Sequence, residues 1–184
     1  MDLPEPSPTL TTHPSSDLLV IAASNGEDIK LAERFAAHAR ARHLSAEVLD
    51  LTELDLPLFT PRALAAGTPS AVMPLQQKLA SATHWVICTP EYNGSIPPVL
   101  TSAIAWLSVQ GDDFRSLFNG RPVAIATRSG SGGTTVLAAL RLQLAHLGAH
   151  VVGRQLVSTS TNSAKDASIA DLIHRLQQLQ PLQP

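Results

Sequence analysis

Short apolar runs that alternate with stretches of helical periodicity constrain this chain more than any other feature. Residues 18–22 read Leu-Leu-Val-Ile-Ala without a polar interruption, the pattern of a strand covered on both faces. Residues 27–43 then place Ile29, Leu31, Ala32, Phe35, Ala36 and Ala39 on one side of a helix. Further strands are expected over residues 46–51, 84–89 and 122–127, with residues 150–152 beginning a fifth. Helices are expected over residues 72–81, from Pro97 to about Ser108, over residues 133–147 with Gly148 as stop signal, and over residues 167–180. Between the second strand and the next helix, Pro57, Pro61, Gly67 and Pro69 mark a loop.

Strands alternating with helices along the whole length call for a parallel sheet with helices on both faces. Five such units predict an α/β, flavodoxin-like three-layer sandwich. Its five-stranded parallel sheet has the order 2-1-3-4-5, with the ligand at the carboxyl ends of the strands. The 184 residues suit one domain. Residues 1–16, rich in Pro, Ser and Thr, are expected to form a disordered tail, leaving residues 17–184 as the domain.

Thirteen basic and fifteen acidic side chains give a net charge of −2, with neither sign segregated. Nucleic acid as a partner needs a clustered basic surface, which this distribution lacks. No apolar run approaches the roughly 18 residues of a membrane span, so no membrane partner is expected. The single cysteine, Cys88, sits in the apolar Trp85-Val-Ile-Cys88 run and reads as a buried, inert thiol. One thiol and no signal-peptide pattern point to the cytoplasm. Seven histidines are scattered without metal-ligand spacing, so no metal site is assigned.

In a sheet of this order, the loops after strands one, three and four line the ligand crevice. The third-strand loop continues from Thr89 through Pro90, Glu91, Tyr92, Asn93, Gly94, Ser95 and Ile96 into Pro97-Pro-Val-Leu-Thr-Ser-Ala-Ile-Ala-Trp106. The fourth-strand loop reads Thr127-Arg-Ser129-Gly130-Ser131-Gly132-Gly133 and leads to a helix ending Leu144-Ala-His-Leu-Gly-Ala149. The first-strand loop reads Ala23-Ser24-Asn25-Gly26-Glu27-Asp28 and is followed shortly by Lys30.

The third-strand segment resembles the hallmark of the NAD(P)H-dependent FMN reductase family, a Pro-Glu-Tyr-Asn-Gly-Ser-Ile-Pro run before a Leu-x-Asn-Ala-Ile-Asp-Trp helix. Ser102 and Ala105 depart from the Asn and Asp of that helix. The resemblance runs from about Leu18 to Val152. It implies an FMN-dependent oxidoreductase that takes hydride from NAD(P)H and passes electrons to free flavin, a quinone, an azo compound or a metal oxyanion. The cofactor-binding residues it implies are Ser24, Asn25 and Lys30 at the phosphate, residues 90–96 at the ring, and Ser129, Gly130, Ser131, Gly132 and Gly133 opposite. No catalytic acid or base is assigned, because the flavin carries the chemistry. A homodimer or homotetramer is also implied.

The first loop departs most. The family's Gly-Ser-x-Arg-x-x-Ser-x-Asn pattern supplies an Arg that this chain lacks. Glu27 and Asp28 add negative charge where the phosphate is expected, unless they face outward and merely favour the helix start. That departure leaves a second reading open, a non-catalytic relative with weak or lost FMN binding that serves as a binding or regulatory partner.

Overall fold

A computed structural model describes residues 16–130 and 132–181. In chain order the elements are β1 (Ser16–Ala22), α1 (Glu27–Arg40), β2 (Ala46–Asp50), a 3-10 turn (Leu51–Glu53), α2 (Pro61–Ala65), α3 (Val72–Ala80), β3 (Ala82–Cys88), α4 (Pro98–Ser108), β4 (Pro122–Arg128), α5 (Thr134–His146), β5 (His150–Val151), β6 (Leu156–Ser158) and α6 (Asp166–Gln177). The expected tail falls on residues 1–15, outside the described residues. Ser16 does not belong to it: this residue is buried and opens β1.

Successive side chains of a strand point to opposite faces, and here both faces are apolar. Leu19 and Ile21 of β1, Trp85 and Ile87 of β3, and Val123 and Ile125 of β4 pack under α3, α4 and α5. Leu18, Val20, Val86, Cys88, Ala124 and Ala126 pack under α1 and α6. That double burial is why these runs show no polar alternation. Small side chains on the inner face of α1 (Ala32, Ala36 and Ala39, fully buried) let this helix lie close to the sheet. Cys88 is a free, buried thiol, and burial pushes its pKa up, so it is inert.

All pairings in the sheet are parallel, in the order β2-β1-β3-β4-β5, with β6 also on β4. The expected order is therefore present, and the fifth strand is interrupted. β5 pairs with the start of β4 (Pro122 with His150) and β6 with its end (Arg128 with Ser158). Arg141 of α5 reaches into the gap, donating to the carbonyls of Val152 at 2.9 Å and Gly153 at 3.4 Å and to Gln155 Oε1 at 3.2 Å. It takes up carbonyls that a continuous ladder would otherwise have occupied.

The loop between β2 and α3 contains a helical turn the apolar pattern did not indicate. Thr60 caps α2 by accepting from Ala63 N–H at 3.0 Å, and Pro61 occupies the first turn. This loop is tied to α4: Ser102 Oγ accepts from Phe59 N–H at 2.8 Å, and Trp106 Nε1 donates to Pro57 O at 2.8 Å. Ser102, one of the two departures in the hallmark helix, thus has a structural role. Among the described residues no helix is long and apolar enough to cross a membrane.

Candidate active site

The loops after β1, β3 and β4 leave the sheet at its carboxyl edge, and the first residue of each is bonded to the end of a neighbouring strand. Ala23 N–H donates to Cys88 O at 2.9 Å, Thr89 N–H to Ala126 O at 3.0 Å, and Ser129 N–H to Ser158 O at 3.0 Å. The candidate residues from three separate parts of the chain are therefore held at one end of the molecule, as the strand order predicts.

In the β3–α4 loop, Tyr92 and Ser95 exchange both main-chain hydrogen bonds, at 3.1 and 2.9 Å. The two residues between them, Asn93 and Gly94, have φ of 52° and 72°. This is the Asn-Gly two-residue hairpin turn, which needs positive φ at both central positions. Asn93, Gly94 and Ser95 are exposed and Tyr92 is 51% exposed, so the turn faces solvent. Pro90 is buried and Ile96 half-buried beneath it. Pro97 serves as the helix cap and Pro98 takes the first helical position, one residue later than expected.

Glu91 turns away from this surface. Its Oε2 accepts from Val136 N–H in the first turn of α5, at 3.1 Å. Helix α5 begins after Gly133, which has no side chain to cap it. The carboxylate satisfies one of the open amides and suits the positive end of the helix dipole. Glu91 thereby links the third-strand loop to the start of α5.

The β4–α5 loop brings Ser129, Gly130, Gly132 and Gly133 to the same end; Ser131 lies outside the described residues. A Cβ at Gly94, Gly130 or Gly132 would meet no protein atom within 4 Å, so these backbones border open space. Gly133 differs, since its φ is 101° and a Cβ there would collide with the side chain of Thr127. Thr127 Oγ1 is fully buried, with no hydrogen-bond partner among the described residues.

At the first loop, Ser24 is buried while Asn25 and Gly26 are exposed, and Gly26 leaves the α1 amides without a side-chain cap. Asp28 does not point outward; it is only 1% exposed and turned into the protein. Its Oδ1 accepts from Arg128 N–H at 2.9 Å and its Oδ2 from Ser24 Oγ at 3.3 Å. Burial pushes its pKa up to about 6, against the opposing pull of those two hydrogen bonds. The Ser24 hydroxyl is thus directed at Asp28, which leaves Asn25 and main-chain amides as the open donors of this loop.

Glu27 does lie on the surface. It receives Lys30 Nζ at 2.6 Å and faces Arg128 Nε at 3.7 Å. Arg128 was not among the expected site residues. Its signal was available: a cation at the last position of a central strand opens into the crevice of this fold.

An exposed Asn-Gly turn, open glycine backbone beside β4 and uncapped helix amides beside β1 fit a flat ring with a phosphate tail. The exposed Glu27 carboxylate is the feature that opposes the phosphate.

The sequence profile described as NADPH-dependent FMN reductase matches residues 16–163. An NAD(P)H-dependent FMN reductase from Pseudomonas aeruginosa is 32% identical over 148 residues, 76% of this chain and 77% of the relative. A quinone reductase from Escherichia coli is 40% identical over 76 residues, 41% of this chain and 39% of the relative. Among solved structures, the flavoenzyme NAD(P)H:(acceptor) oxidoreductase FerB from Paracoccus denitrificans superposes with a TM-score of 0.71 at 20% identity, covering 90% of this chain and 99% of that one. On the extent of the profile match and the similarity over about three quarters of both chains, this chain belongs to the NADPH-dependent FMN reductase family.

Proposed function

We propose that the crevice formed by the loops after β1, β3 and β4 holds FMN and serves the reduction of a quinone-type acceptor. As a member of its family the chain is an FMN-dependent oxidoreductase with NAD(P)H as reductant. The observation that carries the site assignment is the convergence of the exposed Asn93–Gly94 turn with the open glycines at positions 130 and 132.

A bound flavin would supply the redox chemistry, two-electron transfer between NAD(P)H and the acceptor. The protein's part is to bind, orient and shield. Asn25 and the first-turn amides of α1 would hold the phosphate, as helix N-termini do for anions. The turn at residues 92–95 and Ile96 would border the ring on one side, and Ser129, Gly130, Gly132 and Gly133 on the other. Glu91 and Asp28 act on these loops as positioning residues, through Val136 N–H and Arg128 N–H.

The quinone class is favoured by the Escherichia coli relative, whose similarity is concentrated in a stretch of 76 residues. The relatives named above are all reductases, which favours an enzyme over a binding module. A homo-oligomer follows from the family resemblance. An enzyme drawing on NAD(P)H works where that pool is, and we place it in the cytoplasm.

The test is NAD(P)H oxidation by the purified full chain supplied with FMN, with benzoquinone, an azo dye, free flavin and chromate offered in turn. Quinone-dependent turnover that exceeds the others supports the reading. Saturable FMN binding without NAD(P)H oxidation on any acceptor would overturn it.

A further inference from the structure

Glu27 stands between two cations at the start of α1. Its carboxylate holds Lys30 Nζ at 2.6 Å through one oxygen and faces Arg128 Nε at 3.7 Å through the other. Lys30 and Glu27 are neighbours on one helix face, as any i, i+3 pair is. Arg128 comes from the end of β4, and only the sheet order brings it there. The Glu27 side chain is 55% exposed and that of Lys30 72%, whereas Arg128 is only 21% exposed. The arginine is therefore the fixed member of the group, and the other two can rotate into solvent.

The position of Arg128 is held independently of its guanidinium. Its main-chain N–H is bound by buried Asp28, one residue along α1 from Glu27. The bridge borders a cavity of about 140 Å³, lined also by Arg34, Ser158 and Ser163. Arg34 is already engaged, donating to Asp166 at 2.6 Å and to Ala164 O at 2.8 Å. Asp28, the remaining charge, is turned inward. Glu27 is thus the anion that faces both Lys30 and Arg128.

We infer that Arg128, with Lys30, supplies the charge partner of the FMN phosphate in place of the arginine missing from the first loop, and that Glu27 is the internal anion the phosphate must displace. This rests on the flavin reading given above. A phosphate at the α1 amides lies beside both cations, and a dianion competes for them better than one carboxylate. An exposed ion pair holds Glu27 weakly, so its displacement is a modest barrier rather than a block. Glu27 becomes a determinant of how strongly the protein distinguishes FMN from flavin without a phosphate.

The experiment compares FMN with riboflavin, which carries the same ring and no phosphate. The full chain and its Glu27→Gln, Arg128→Gln and Arg128→Lys variants are titrated with each by fluorescence quenching. Glu27→Gln is expected to tighten FMN about 5- to 10-fold, and Arg128→Gln to weaken it about 10-fold or more. Riboflavin affinity should stay within about 2-fold in both, and Arg128→Lys should recover most of the lost FMN affinity. The Glu27→Gln gain should shrink at high salt. Equal shifts for FMN and riboflavin would assign a structural role and overturn the inference, as would an FMN affinity indifferent to Glu27→Gln. Should Arg128→Gln fail to fold, Glu27→Gln and Arg128→Lys still decide the matter. Failure of the parent chain to bind either flavin would instead bring down the flavin reading itself.

Discussion

The carboxylate of Asp28 accepts the main-chain N–H of Arg128 at 2.9 Å, joining the first turn of α1 to the end of β4 across a hundred residues of sequence. This bond ties the start of α1 to the point where the loop after β4 begins, and the two cannot separate without breaking it. It also places an ionisable group in an environment that disfavours its charge, with a consequence for stability.

Burial raises the folded pKa of Asp28 from an ordinary 3.8 to about 6. The folded protein therefore binds this proton more tightly than the unfolded chain. The contribution of Asp28 to stability is fullest below about pH 4 and is lost as pH rises through about 6. Asp28→Asn removes the charge and keeps a carbonyl acceptor for Arg128 N–H. The variant is expected to be more stable than the parent above pH 6 by about 1–3 kcal/mol and to converge with it near pH 4. Urea midpoints across this range check it; parallel curves would show that the carboxyl does not titrate there.

Gly94 sits at φ 72°, and a Cβ at that position meets open space rather than protein. Gly94→Val strains the turn by roughly 1 kcal/mol or more and places two methyl groups where the ring edge is expected. Glu91→Gln keeps an acceptor for Val136 N–H and leaves the turn alone. Flavin content after purification should fall sharply in the first variant and little in the second. Equal content in both would remove residues 92–95 from the ring site.

Thr127 carries a buried hydroxyl without a partner among the described residues. Thr127→Val has nearly the same shape and no polar group to bury. It should raise the stability of the flavin-free protein by about 0.5–1.5 kcal/mol. Thermal unfolding of parent and variant decides, and a loss of stability would mean that the hydroxyl is satisfied in solution.

Arg141 closes the interrupted fifth strand by bonding Val152 O and Gly153 O. Arg141→Met keeps most of the aliphatic stem and removes the donors. A loss of about 1–3 kcal/mol is expected, with hydrogen exchange accelerating first around residues 150–158. Uniform exchange across the sheet would show that the strand does not depend on this guanidinium.

The strands and helices were legible in the sequence because their causes are local, and their alternation suits the sheet order found. A strand buried on both faces must be continuously apolar, and residues 18–22 are. The Asn93–Gly94 pair likewise announced its own turn, since those residue types tolerate positive φ at adjacent positions. Even Thr60-Pro61, passed over within a proline-rich loop, carried a readable helix start. The roles of the charged residues had no such signature. Asp28 read as an anion near the phosphate position, and Glu91 as part of the ring loop. The folded chain gives one to Arg128 N–H and the other to Val136 N–H. Periodicity and turn chemistry act over a few residues, so the sequence by itself determined the elements, their order and the end of the sheet where the loops gather. Which side chain meets which main-chain group depends on parallel strands bringing loops from distant parts of the chain within hydrogen-bonding distance of one another. Tertiary structure alone decided that Asp28 would be buried, that Arg128 would stand beside α1, and that Glu27 would lie between two cations.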